Sequence, residues 1–143
     1  MVNGMIEPTK AAQIIRVWHF RDAKGKILGR FSTEVAQLLM GKRKPYFVRN
    51  LDCGDYVVIV NAGKVAVTGK KETDKVYARH SGYPGGFKSD TLKELRARKP
   101  EEIIRHAVKG MLPRNKVGAS MLKRLYIFAG EEHGYKDKFK AQS

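Results

Sequence analysis

The stretch Arg79–Ser89, RHSGYPGGFKS, crowds together the residue types most able to do chemistry in this chain. From Gly82 to Ser89 it falls one residue short of the phosphate-binding pattern G-x-x-x-x-G-K-[ST], with Lys88 and Ser89 in the required places. Phe87 stands where the second glycine must be. That glycine lets backbone N–H groups wrap the phosphates, so a bulky residue there removes the chemistry as well as the pattern. A phosphate-loop nucleotide-binding enzyme using residues 82–89 is therefore the alternative reading. His80 beside Ser81 resembles a hydrolase pair, but neighbours on a strand point to opposite faces. The four histidines (19, 80, 106 and 133) show no metal-ligand spacing. Cys53 is the single cysteine, so no intramolecular disulfide and no cysteine cluster for zinc can form. Asp52 and Asp55 around Gly54 read as a turn whose carboxylates bond local backbone. No catalytic residue, metal, cofactor or small-molecule substrate is expected.

A different use suits the same loop. Gly82, Gly85 and Gly86 permit backbone angles that side chains forbid, and Pro84 fixes its own φ, which suits bare backbone laid against phosphate. The 143 residues carry 29 Lys and Arg against 14 Asp and Glu, a formal charge of +15. Such a surplus repels itself unless a polyanion is the normal partner. The bases are unevenly placed. From Ile103 to Gly130 there is no acid, yet Arg105, Lys109, Arg114, Lys116, Lys123 and Arg124 fall there. Lys42, Arg43 and Lys44 form a second cluster, and Lys70 with Lys71 a third, each in a predicted loop. Together they suit phosphate contact by Lys and Arg. No segment reads as a major-groove helix, so irregular RNA fits better than DNA. A membrane fits worse. The longest apolar runs, such as YVVIV at 56–60, are far shorter than the roughly 20 residues a spanning helix needs, and the N-terminus lacks the apolar core of a secretory signal.

The elements that must position these residues follow from periodicity. The length fits one domain over residues 16–134, between a loose arm at 1–15 and a polar tail at 135–143. RVWHFRD (16–22) alternates as a strand does. Leu28, Phe31, Val35, Leu38 and Leu39 recur at helical spacing, with Gly41 as the stop. DYVVIVN (55–61) is apolar throughout, as a strand covered on both faces would be. VAVTG (65–69) reads as a short partner strand and KVYARHS (75–81) as a third. Asp90 or Thr91 caps the short helix LKELRAR. Pro100, Glu101 and Glu102 suit the first turn of another helix, whose apolar stripe is Ile103, Ile104, Ala107, Val108 and Met111. GASMLKRL (118–125) reads as a last helix and YIFAG (126–130) as a last strand. Alternating strands and helices predict an α/β domain, a three-layer α/β/α sandwich around a small, mostly parallel sheet.

HSGYPGG (80–86) and VKGMLPRNKVGASMLKRLYIFAG (108–130) resemble the two signature stretches of large-subunit ribosomal protein thirteen, the bacterial-type L-thirteen family. LGRFSTEVAQLL, GKRKP, DCGDYVVIVNAGKVAVTGKK and AGEEH match in order, so the likeness runs from about Trp18 to His133. RNLDCGD (49–55) departs from the commoner PHVDTGD, and Phe31 from a leucine. The resemblance implies a non-enzymatic, structural constituent of the large ribosomal subunit that binds 23S-type rRNA early in assembly and touches neighbouring ribosomal proteins. It implies no homo-oligomer. The ribosome would be that of a bacterial cytoplasm, with a mitochondrial or plastid ribosome as the alternative. On the resemblance, RNA contacts would fall on Lys42, Arg43 and Lys44; on Lys70 and Lys71; on Arg79, His80, Ser81, Gly82, Tyr83, Gly85 and Gly86; and on Arg114, Asn115 and Lys116, while the basic loop adds Lys88 and the acid-free run adds Lys109, Lys123 and Arg124.

Overall fold

The apolar run expected to be buried on both faces is the central strand of the molecule. A computed structural model of the chain describes residues 8–140; part of the expected N-terminal arm (1–7) and the end of the tail (141–143) lie outside the described residues. Tyr56–Val60 (β2) pairs in parallel with Trp18–Asp22 (β1) on one side and Leu125–Ile127 (β5) on the other. Val57, Ile59, Leu125 and Ile127 turn to one face. There they meet Phe31, Val35 and Leu39 of α1 (Leu28–Met40), Ile103, Ile104 and Val108 of α4 (Pro100–Met111), and Met121 of α5 (Lys116–Leu122). The opposite face is aromatic. Trp18 stacks on Tyr56 with ring centroids 4.4 Å apart and on Tyr126 at 5.8 Å, and Tyr135 lies 4.5 Å from Tyr126. Phe139 meets Trp18 edge-on from α6 (Lys136–Lys140), so part of the expected polar tail is a helix packed on the sheet. Helices thus cover both faces, and the three-layer α/β arrangement holds.

Local signals place most boundaries. Gly41 ends α1 in the left-handed region (φ 76°) and lies so close to the next turn that a Cβ would sit 2.4 Å from the Cys53 carbonyl oxygen. Thr91 caps α3 (Leu92–Arg98), with Glu94 completing a capping box, and Pro100 opens α4. Two expectations are corrected. Residues 65–69 form no strand; they contribute one parallel bridge, Ile27 to Ala66, before the single turn α2 (Lys71–Asp74). The strand at 75–81 exists as β3 (Val76–His80) but stays outside the parallel sheet. It pairs antiparallel with β4 (Phe87–Thr91). FKSDT carries too little apolar alternation to announce a strand, so only Ser81–Gly86 of the opening loop is truly loop. Met111, placed on the apolar stripe of α4, is exposed at the helix end.

The Asp52–Asp55 turn does more than bond local backbone. Arg124 is only 8 % exposed; its guanidinium grips the Asp52 carboxylate with two nitrogens and donates to the Leu39 and Asp55 carbonyls. Arg16 donates to the Gly54 and Asp52 carbonyls at 2.6 and 2.9 Å. Asp55 receives His19 at 2.8 Å, Lys44 at 2.6 Å and the Val17 N–H at 3.1 Å. Two of the expected RNA contacts are engaged inside the domain. Arg124 faces inward, its buried guanidinium paired with the half-buried Asp52 carboxylate, and Lys44 is held by Asp55 and the Ile15 carbonyl.

Burial pushes the Asp52 carboxyl up, but the hydrogen bonds and charge of Arg124 outweigh it and hold it below the ordinary carboxylate value. Burial likewise opposes ionisation of Asp55, and His19, Lys44 and the Val17 N–H overcome it. Folded values below unfolded ones stabilise the fold above the unfolded value, and that contribution is lost as pH falls through the folded values. The melting temperature is expected to hold from neutral pH to about 5 and then to fall steeply below about 4. Asp55→Asn should flatten part of that acid limb in a series of thermal melts. Arg124→Ala leaves Asp52 with Arg16 alone at 3.6 Å and unpairs the Leu39 and Asp55 carbonyls, and should cost about 3 kcal/mol in chemical denaturation. Arg124→Lys should recover little of it, because one ammonium cannot reproduce the planar fork.

Candidate nucleic-acid interface

The β3–β4 hairpin closes through its own backbone. Ser81 N–H donates to the Gly86 carbonyl at 3.2 Å, Gly86 N–H to the Tyr83 carbonyl at 2.9 Å, and Gly82 N–H to His80 Nδ1 at 2.9 Å. Gly82 and Gly85 take positive φ (86° and 71°), and a Cβ on Gly86 would sit 2.0 Å from Ser81 Oγ. Those N–H groups are committed to the turn, and Lys88 lies on a strand rather than at a helix N-terminus. The arrangement does not build a triphosphate cradle. Arg79, His80, Ser81, Gly82, Tyr83, Gly85 and Lys88 are exposed, and Gly86 is half-buried.

The second group gathers around a groove between α4 and α5. Arg105, Lys109, Arg114 and Lys123 line it with His106 and Asn115, over a floor including Leu112, Pro113 and Leu122. It holds about 810 Å³ and contains no acidic side chain. Asn115 caps α5 by accepting from the Gly118 N–H at 2.9 Å. Gly118 is obligatory, because a Cβ there would lie 1.8 Å from the Pro113 carbonyl oxygen. The 112–115 loop is thereby pressed against α5 and becomes the groove wall.

Two further clefts join this groove. Leu112, Pro113 and Asn115 also line a cleft of about 430 Å³ with Lys42 and Arg49, again without an acid. His106 also lines a cleft of about 540 Å³ with Arg79, Arg98 and Lys99 below the hairpin. Asp90 and Glu102 occur there; Asp90 is paired with Arg98 at 2.7 Å and Glu102 lies 3.7 Å from Arg105. A basic furrow therefore links the 42–51 loop, the 112–115 loop, α4 and the hairpin base. Arg43, in the 42–51 loop, and Lys116, at the start of α5, are exposed without lining the clefts. Lys70 and Lys71 stand apart from the furrow, exposed where α2 begins. Sequence reasoning missed Arg49, His106, Arg98 and Lys99 as furrow residues, and counted Arg105 only as part of an acid-free run. Arg105 and Lys109, one turn apart on α4 and off its apolar stripe, carried the signal that could have found this wall.

Among the described residues no cluster of three His, Cys, Asp or Glu could hold a metal ion, and no helix is long and apolar enough to cross a membrane. Comparison with known proteins accords with the likeness read in the signature stretches. The chain is 57% identical over 124 residues to the large ribosomal subunit protein uL13 of Dehalococcoides mccartyi, covering 87% of each chain. It is 55% identical over 118 residues to the protein of the same description in Symbiobacterium thermophilum, covering 82% of each. With that of Listeria welshimeri it shares 50% over 124 residues, 87% of this chain and 86% of the relative. The family described as ribosomal protein L13 matches residues 16–134, nearly all of the folded region, and the chain belongs to that family.

Proposed function

We propose that this protein is a structural constituent of the large ribosomal subunit, binding large-subunit rRNA through its furrow and hairpin and supporting early assembly. Its setting is the ribosome of the bacterial cytoplasm, and its partners are rRNA and neighbouring ribosomal proteins. The observation that carries this reading is the furrow. Six cations, Lys42, Arg49, Arg105, Lys109, Arg114 and Lys123, line two joined clefts without one carboxylate. A chain of +15 that sets six cations on one concave surface attracts the phosphates of a folded nucleic acid. Lys70 and Lys71 form a second, separate contact on this reading, and Arg124 and Lys44 drop out as direct contacts.

Sedimentation of a lysate is the direct test: the chain should travel with large-subunit particles. For the free protein, neutralising about six phosphates implies roughly a 10³-fold loss of rRNA affinity between 50 and 200 mM salt. A flat response would remove the furrow as a phosphate site. Changing Arg114, Lys116 and Lys123 together to Ala should leave the melting temperature unchanged or slightly raised. It should also flatten the salt dependence by up to about three phosphates. Ile104→Ala does the reverse, costing about 2–5 kcal/mol of stability while the folded fraction binds RNA as before. Titration with ATP or GTP should give no detectable binding, in the parent or in Lys88→Ala. Micromolar affinity abolished by that change would revive the phosphate-loop enzyme.

A further inference from the structure

The register of the hairpin divides it into two unlike faces. Val76 and Thr91, Ala78 and Ser89, and His80 and Phe87 lie directly opposite one another, so these six residues share one face. Tyr77, Asp90, Arg79 and Lys88 share the other. Tyr77 meets the His106 ring edge-on at 5.1 Å and Asp90 pairs with Arg98, so this second face is the one turned to the domain. The first face points away from it and carries no Asp, Glu, Lys or Arg. Val76 is 54 % exposed and Phe87 62 %, and Tyr83 at the tip is 77 % exposed. Three of the eight large hydrophobic side chains exposed among the described residues stand on this one hairpin. Nothing in the packing of the domain calls for an exposed phenyl ring at residue 87.

We propose that the outer face and tip of the hairpin form a stacking platform for unpaired RNA bases, with Phe87, His80 and Tyr83 supplying the rings. The proposal rests on the RNA-binding reading above and adds the kind of RNA. From Val76 to Ser89 there is no acidic residue, and Arg79 faces Lys88 across the strands. Arg79 lies 3.7 Å from Asp90, whereas Lys88 is exposed and long enough to reach a phosphate passing along its edge of the ribbon. Because Gly82 N–H donates to His80 Nδ1, the neutral ring carries its proton on Nε2, which leaves a donor for a base edge or a 2′-hydroxyl.

The size of the face decides between occupants. Five residues on each of two strands span roughly 17 Å by 10 Å. That is far below the roughly 800 Å² per partner of a stable protein interface. Duplex RNA keeps its base faces stacked internally and offers the rings nothing, whereas unpaired bases offer π-faces of matching size.

The test compares a short single-stranded oligoadenylate with an RNA duplex of equal length. Phe87→Ala should keep the parent's melting temperature, since the ring is exposed. It should weaken oligoadenylate binding about tenfold per base that loses its stack, without altering the salt slope or the duplex affinity. Tyr83→Ala should behave alike. Lys88→Ala should weaken both RNAs and reduce the slope by about one phosphate. Unchanged oligoadenylate binding by folded Phe87→Ala overturns the platform and points the face towards a protein neighbour. Equal losses on single strand and duplex also overturn it. If the unaltered protein binds neither RNA in a salt-dependent way, the RNA-binding reading itself fails, and the platform with it.

Discussion

The buried guanidinium of Arg124 is the contact on which the arrangement of the sheet and its helices depends. It joins the last turn of α1 through the Leu39 carbonyl, the turn entering β2 through Asp52 and Asp55, and the start of β5 through its own backbone. An arginine can serve three such groups at once because its donors are fixed in a planar fork. The fit is close. A Cβ on Gly54 would lie 1.6 Å from the Leu39 carbonyl oxygen and 2.7 Å from the guanidinium. A buried charge that loses its partner is far more costly than a surface one, so this junction forms as a unit or not at all.

The same junction shapes the electrostatics of the surface. Asp52 and Asp55 take up Arg124, Arg16, Lys44 and His19 near the ends of the strands. Elsewhere Glu72 holds Arg96, Glu34 holds Arg21, and Asp90 holds Arg98. Carboxylates are thus engaged in holding elements together, and the cations of the α4–α5 groove face water with none among them. A net charge of +15 spread evenly would only repel. The six cations that line the furrow make a local field that favours a polyanion at one place.

The two faces of the sheet have different consequences. Aliphatic residues on one side lock α1 and α4 into a rigid core, and the aromatic side is met by α6 with rings stacked from Trp18 to Tyr135. The aliphatic face is buried, and the aromatic face is partly covered, with Phe20 still 43 % exposed. The binding chemistry is displaced to loops, helix ends and the hairpin, which the core holds at fixed separations.

Much of this was legible in the chain itself. The unbroken apolar run at 56–60 required a strand covered twice; the spacing of Leu28, Phe31, Val35 and Leu39 required a helix packed on one side; and Thr91, Pro100 and Gly41 fixed helix ends. These are local consequences of backbone geometry, rotamer freedom and burial, and neighbouring residues suffice to determine them. The acid-free run from Ile103 to Gly130 was equally plain, as was the likeness of the signature stretches to their family. Tertiary structure alone decided which charges in that run face outward. Lys123 is exposed to solvent, while the adjacent Arg124 is buried against a carboxylate 72 positions earlier in the chain. Likewise Phe87–Thr91 became a strand only because Val76–His80 lay opposite, and three clefts became one furrow only because two of them meet at Leu112 and Pro113 and the third reaches the groove at His106. A charge or a weak strand takes its role from the partner that folding brings to it, and that partner is distant in sequence.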